Sequence, residues 1–195
     1  MQVAIALFPR NTTLDAVGPY DVLQRVPSIE VVFVGAQRGE VRSDNGMLGL
    51  ICDATFDEVT RPDVLLFPGG MGTRTLIHDE GVLDWVREVH RHTIYTTSVC
   101  TGSLVLAAAG LLSGLTAATH WRGVELLESF GAVYTPQRVV EHLPERIISA
   151  AGVSSVRAIT PRAGAACCVV RWMCAPSWRR CCGVPGTGAA TCCAR

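Results

Sequence analysis

A cysteine, an acid, a pair of glycines and an imidazole are the residues of this chain whose types and surroundings could do chemistry together: Cys100, Asp15, Gly69-Gly70 and His120. Cys100 ends a β-rich run, residues 93–99, and Thr101-Gly102-Ser103 then opens an alanine- and leucine-rich stretch, 104–112, that reads as a buried helix. The cysteine is therefore expected on a strand-to-helix turn. There the unpaired N–H groups of a first helical turn favour a thiolate, and small neighbours such as Gly102 let a reactive side chain stand above a sheet edge. The same cysteine could serve as a small buried hydrophobe.

Asp15 follows an apolar run, 3–8, and could act as an acid or simply cap a helix. Pro68-Gly69-Gly70-Met71-Gly72 follows another buried run, 63–67; its glycines would let the backbone approach a ligand and offer N–H groups to an anion, or form a plain tight turn. His120, after a short run at 116–119, could be a base or a half-buried histidine beside Trp121. In an open parallel sheet all four would lie at the carboxyl ends of strands, where ligands bind. Together they supply a nucleophile, a proton carrier and backbone donors for developing charge, the parts of nucleophilic addition to carbon. Spacing alone does not show a Cys-His-Asp triad, and no phosphate-binding glycine fingerprint occurs.

The elements that must position these residues alternate. Apolar runs at 3–8, 29–35 and 63–67 read as strands covered on both faces. A helix is expected from Gly18-Pro19 to about Val26, a hairpin over 41–51 with its turn at Asp44-Asn45-Gly46, and an amphipathic helix over 81–92. Further on, 122–130 reads as a helix, and 133–134, 138–141 and 147–150 as strands. Alternating strands and helices predict a three-layer α/β sandwich with a mostly parallel, flavodoxin-like sheet.

Composition narrows the partners. The 195 residues carry 17 basic and 17 acidic side chains, so no basic excess points to nucleic acid or an anionic membrane. The longest apolar run, 103–115, is too short to span a bilayer, and the start reads as a strand rather than a leader, so a cytoplasmic location is expected. The chain divides into an α/β domain over 1–155 and an atypical tail over 156–195. That tail has no Asp, Glu, Lys or His and holds seven of the nine cysteines. It reads as a frame-shifted product of G+C-rich DNA and is expected to be poorly ordered. Its adjacent cysteine pairs lack the spacing that wraps a metal, and neither a metal nor a disulfide framework is expected there.

Five segments in order, Leu14-Asp15-Ala16-Val17-Gly18-Pro19, Phe67-Pro68-Gly69-Gly70, Ser98-Val99-Cys100-Thr101-Gly102-Ser103, Ala118-Thr119-His120-Trp121 and Ala151-Gly152-Val153-Ser154, resemble the DJ-1/PfpI superfamily, and within it the isocyanide hydratase branch. The amidotransferase-like sensor domains of AraC-type regulators carry nearly the same Cys100-Thr101-Gly102 and Thr119-His120-Trp121 segments, and a related cysteine enzyme of the superfamily acting on a glyoxal or an amide is a further alternative. The resemblance implies a homodimer that hydrates a small-molecule isocyanide to an N-substituted formamide without metal or organic cofactor. It implies that Cys100 attacks the terminal carbon, that Asp15 supplies its proton and then directs water, and that Thr101 and the Gly70 backbone hold the polar atoms around the site. Gly69, His120, Trp121 and Val153 would complete the substrate and oxyanion surroundings.

Overall fold

Val3, Ala4, Ile5 and Ala6 have no exposed surface, as an uninterrupted apolar strand requires. In a computed structural model that describes residues 1–152, they lie in β1 (Gln2–Ala6), inside a seven-stranded sheet. The other strands of that sheet are β2 (Glu30–Gly35), β5 (Ala54–Thr55), β6 (Val64–Phe67), β7 (Tyr95–Val99), β10 (Val139–His142) and β11 (Ile147–Ala150). Their order is β10-β11-β7-β6-β1-β2-β5, parallel throughout except for edge strand β10. Between β2 and β5 the chain makes an antiparallel hairpin, β3 (Gly39–Arg42) and β4 (Gly49–Cys52), as expected of that segment.

Alternation along the strands sorts side chains to two faces. Ala4, Ala6, Leu65 and Phe67 pack with α3 (Glu80–His92) and α4 (Gly102–Ala108). Val3, Ile5, Val64 and Leu66 pack with α1 (Thr13–Leu23) and the hairpin. These are the three layers anticipated from the alternation. Helix α3 buries Val82, Leu83, Trp85, Val86 and Val89 and is capped by Asp79, whose carboxylate accepts the Val82 N–H at 3.2 Å. Each such large side chain contributes roughly 1.5–3 kcal/mol on burial.

Two expectations need correction. Helix α1 begins at Thr13 and runs through Pro19, where a later start at Gly18-Pro19 was expected. The proline removes one intrahelical donor, at a cost of about 3 kcal/mol, yet Ala16, Pro19 and Leu23 fall on one buried stripe, and their packing offsets that loss. Asp15 consequently sits within the first helical turn and caps nothing. The other correction concerns β8 (Thr116–Ala117), which does not join the main sheet. It pairs with β9 (Val133–Tyr134) in a two-residue parallel ladder, because the longer β11 occupies the place beside β7. The Ala118 N–H to Ser149 Oγ bond, 2.9 Å, ties that segment back to β11, and His142 Nε2 of β10 meets the Thr116 carbonyl at 2.8 Å.

Two short helices remain, α2 (Thr73–Leu76) and α5 (Val124–Ser129), the latter preceded by a 3-10 turn at Trp121–Gly123. Among the described residues no helix is long and apolar enough to cross a membrane. Strands β2 and β5 lie on one side of β1, and β6, β7 and β11 on the other. The loops after β1 and β6 therefore diverge at a switch point, the place where an open α/β sheet leaves a crevice. The tail expected at 156–195 lies outside the described residues.

Candidate active site

Cys100 occupies the turn between β7 and α4 with φ +57°, a left-handed conformation that a residue bearing a Cβ adopts at a cost of about 1–3 kcal/mol. Its backbone is held on both sides. The Cys100 N–H donates to Ala150 O at 2.8 Å, and its carbonyl accepts the hydroxyls of Ser103 at 3.1 Å and Thr119 at 3.3 Å. The strand-to-helix turn anticipated from the sequence is present, and its strain is maintained by these three bonds.

Asp15 reaches the thiol from the opposite side of the switch point. It has 0% exposure and Cys100 has 5%. Asp15 Oδ2 accepts the Gly69 N–H at 3.2 Å, and the Cys100 thiol is hydrogen-bonded to the same carboxyl group. Asp15 Oδ1 is buried with no hydrogen-bond partner among the described residues. Gly69 must be glycine here, since a Cβ would stand 2.6 Å from Cys100 Cβ, 2.7 Å from Thr101 N and 2.9 Å from Asp15 Oδ2.

The glycine pair does something different from what its sequence suggested. The Gly70 N–H donates to Thr101 Oγ1 at 3.0 Å, and the Thr101 hydroxyl donates to Gly70 O at 3.1 Å. With the Gly69 N–H given to Asp15, both backbone donors bind the site's own side chains and neither is free for an oxyanion. Their role is to lock Asp15 and Thr101 around the sulfur.

Burial governs the protonation of the pair. It raises the Asp15 pKa to about 6; the Asp44 charge adds to the rise, while the Gly69 N–H and the Cys100 thiol oppose it. The Cys100 thiol is pushed up to about 12, by burial first and then by the Asp15 charge, against donors on Thr101. The thiolate favoured by a helix start is thus not the resting form. Helix α4 has only seven residues, and its weak dipole does not offset burial beside a carboxylate. Between those two pKa values the pair holds a single proton, which rests mainly on the sulfur beside an ionised carboxyl.

His120 stands close to the sulfur without bonding to it. A Cβ on Gly152 would lie 3.2 Å from His120 Cδ2 and 3.4 Å from Cys100 Sγ, so ring and sulfur flank the same glycine. The Arg122 N–H donates to His120 Nδ1 at 3.2 Å, which leaves the proton of the neutral ring on Nε2. Burial, with the charges of Arg122 and Arg74, lowers the His120 pKa. A neutral donor fits these facts better than a base. Trp121, expected to line the pocket, is 68% exposed at the rim, with the Arg122 guanidinium 4.8 Å from its ring centre. Val153 lies outside the described residues.

Several contributors had escaped sequence reasoning. Ser103 and Thr119 hold the Cys100 carbonyl, and both lie inside segments already singled out, so their hydroxyls were a usable signal. Asp44 was read only as part of a turn, and its contact with the site loops had no sequence signature. Among the described residues no group of His, Cys, Asp and Glu is arranged to hold a metal ion.

The DJ-1/PfpI family model matches residues 1–161. An isonitrile hydratase from Pseudomonas putida is 44% identical over 140 residues, covering 72% of this chain and 61% of that protein. An HTH-type transcriptional regulator, CdhR of Pseudomonas aeruginosa, is 30% identical over 124 residues, 63% of this chain and 36% of the regulator. Among solved structures, a ThiJ/PfpI family protein from Pseudomonas syringae superposes with a TM-score of 0.74 at 36% identity, covering 80% of this chain and 64% of that one. The chain thus spans less than two thirds of the length of each of these relatives.

Proposed function

The chain belongs to the DJ-1/PfpI family, and we propose that it is an isocyanide hydratase-like lyase that uses Cys100 as nucleophile and Asp15 as proton carrier. The observation that carries this reading is the buried pair itself, a thiol 5% exposed and a carboxyl 0% exposed that meet across Gly69. The 44% identity to an isonitrile hydratase supports the same chemistry.

An isocyanide carbon accepts a nucleophile and a proton at the same atom, so a shared proton suits it. Attack by sulfur moves the thiol proton to Asp15, which then delivers it to that carbon and leaves a thioimidate, R–N=CH–S–Cys100. Asp15 is again a carboxylate and takes a proton from an incoming water as it adds. Asp15 passes that proton to the nitrogen, and the adduct collapses to the formamide carbonyl with expulsion of the Cys100 sulfur. The hydroxyl proton released in the collapse returns to that sulfur, restoring thiol and carboxylate as the N-substituted formamide leaves. The sum is one isocyanide and one water to one formamide. Asp15 Oδ1, buried and without a partner among the described residues, is the atom left to meet water or substrate. The neutral His120 Nε2–H is a donor at the same side of the sulfur.

The two described cysteines, Cys52 and Cys100, are unpaired, which suits the cytoplasmic location proposed here. A homodimer is also proposed. Leu14, Met47, Leu48 and Met71 are exposed apolar side chains on three segments that meet beside the site, a patch that a second copy would cover. Light scattering on the eluted protein tests it, and a monomer mass would sink it.

The match to a transcriptional regulator favours a second reading, a ligand-sensing domain that binds a small molecule at the same crevice without turning it over. One experiment separates the two. Purified protein is incubated with an aryl isocyanide and formamide is followed, with Cys100→Ser alongside. Turnover lost in the variant supports the lyase; a folded protein that binds the isocyanide without turnover supports the sensor.

A further inference from the structure

Asp44 lies in the β3–β4 turn, far in sequence from Cys100, yet its contacts converge on the site. Its carboxylate accepts the Thr12 hydroxyl at 2.8 Å through Oδ2 and the Met71 N–H at 3.0 Å through Oδ1, and its own N–H donates to Asn11 O at 3.1 Å. Thr12 immediately precedes α1, which carries Asp15, and Met71 follows Gly69-Gly70. The same three segments meet again through Asn11, which is fully buried and bridges both Ser43 and Gly70, and through the Thr12 N–H, which donates to Gly69 O at 2.8 Å.

An aspartate in a turn ordinarily bonds the backbone of that turn. Here the neighbouring residue has that task, since Asn45 Oδ1 accepts both the Ser43 hydroxyl at 3.0 Å and the Met47 N–H at 3.1 Å. Asp44 makes both its side-chain bonds outside the hairpin, one to each loop that flanks the reacting pair. We propose that Asp44 is a positioning residue, a clamp that keeps the loop leading into α1 and the Gly69-Gly70 loop at a set separation and so holds the Asp15 carboxyl on the Cys100 thiol. The proposal rests on the reading of Asp15 and Cys100 as the reacting groups.

Asp44 also places a fixed negative charge near Asp15, in the direction that keeps that carboxyl protonated to higher pH. The other charged groups on the surrounding segments are Arg10, whose side chain is exposed, and Arg42, ion-paired with Glu40 at 2.7 Å; Cys100 faces Asp15 from the β7–α4 turn. Clamp and charge can be separated. Asparagine at position 44 can still accept from Met71 and can donate its amide to the Thr12 oxygen, so Asp44→Asn keeps the clamp and removes the charge. Asp44→Ala removes both, and Thr12→Val removes one arm of the clamp while the charge remains.

The test follows iodoacetamide alkylation of Cys100 in the full chain by peptide mass spectrometry, from about pH 5 to about pH 7.5. This readout needs no isocyanide turnover, so failure of the hydratase reading and failure of the clamp are distinguishable. In the parent, the one-proton pair makes the rate level off above about pH 6. Asp44→Asn is expected to keep that plateau within about twofold while its onset moves down by roughly half a pH unit. Asp44→Ala is expected to lose the plateau and rise about tenfold per pH unit, as an uncoupled thiol does. Aryl isocyanide turnover should then fall about tenfold in kcat with little change in KM. A parent-like plateau in Asp44→Ala overturns the proposal. Should that variant fail to fold, Thr12→Val decides: a weakened plateau with unmoved onset upholds the clamp, and a parent-like profile overturns it.

Discussion

Replacing Asp15 with asparagine should make Cys100 more reactive and abolish hydration at the same time. An ordinary thiol titrates near 9 and Cys100 near 12, a difference of about 4 kcal/mol against the thiolate at about 1.4 kcal/mol per pH unit. Burial is the largest cause, and asparagine, of nearly the same size, leaves it in place. The Asp15 charge comes second, and asparagine removes it, so the variant thiol is expected to titrate at roughly 10. In the parent, above about pH 6, the thiolate form is a constant small share of the one-proton pair, on the order of one part in ten thousand if the thiol beside a neutral acid also sits at roughly 10. The variant has no such pair, and near pH 8 roughly one thiol in a hundred is ionised. Alkylation by iodoacetamide should therefore run roughly 50-fold faster in the variant near pH 8, and between about pH 6 and about pH 7.5 it should rise about tenfold per pH unit in the variant where the parent is nearly flat. Formamide production, which needs the proton that Asp15 delivers, should vanish. Parallel pH profiles for the two proteins would refute the shared proton, and undiminished turnover in the variant would refute Asp15 as its carrier.

The same substitution should raise stability. Asp15 titrates at about 6 folded against 3.8 unperturbed, so the folded state binds a proton between those values that the unfolded state has released, and stability falls as pH rises through that window. The parent forfeits about 3 kcal/mol above pH 6, and Asp15→Asn should melt higher there, with the two melting curves converging below about pH 4; equal melting temperatures at pH 7 would refute the buried charge. Gly69→Ala drives a methyl into Cys100, Thr101 and Asp15 at 2.6–2.9 Å, which should cost about 1–3 kcal/mol and separate the reacting pair. A melt and an alkylation profile like the parent's would show that the loop has room to spare.

Much of the site was legible because its parts depend on local chemistry. A lone cysteine between a β-rich run and a helix start, with glycine two residues on, admits few backbones other than a strained turn, and Cys100 takes it. Gly69-Gly70 signals close approach of a backbone whatever it approaches; that its donors would be taken by Asp15 and Thr101 depended on distant partners. The start of α1 was misplaced because proline is a strong local signal, and the buried stripe that overrides it exists only once the sheet is there to cover it. Strand β8 was assigned to the main sheet by its composition, yet two residues cannot compete with β11 for the place beside β7.

The alternation of strands and helices, the order of the five site segments and the residue types they carry are legible along the chain, because they follow from hydrophobic period and turn chemistry. Where the proton rests, which glycine donor binds which side chain, and the joining by Asp44 of two loops 32 and 27 residues away emerge with the folded chain. Those outcomes depend on burial and on distances across the sheet, quantities that come into being when the chain closes on itself.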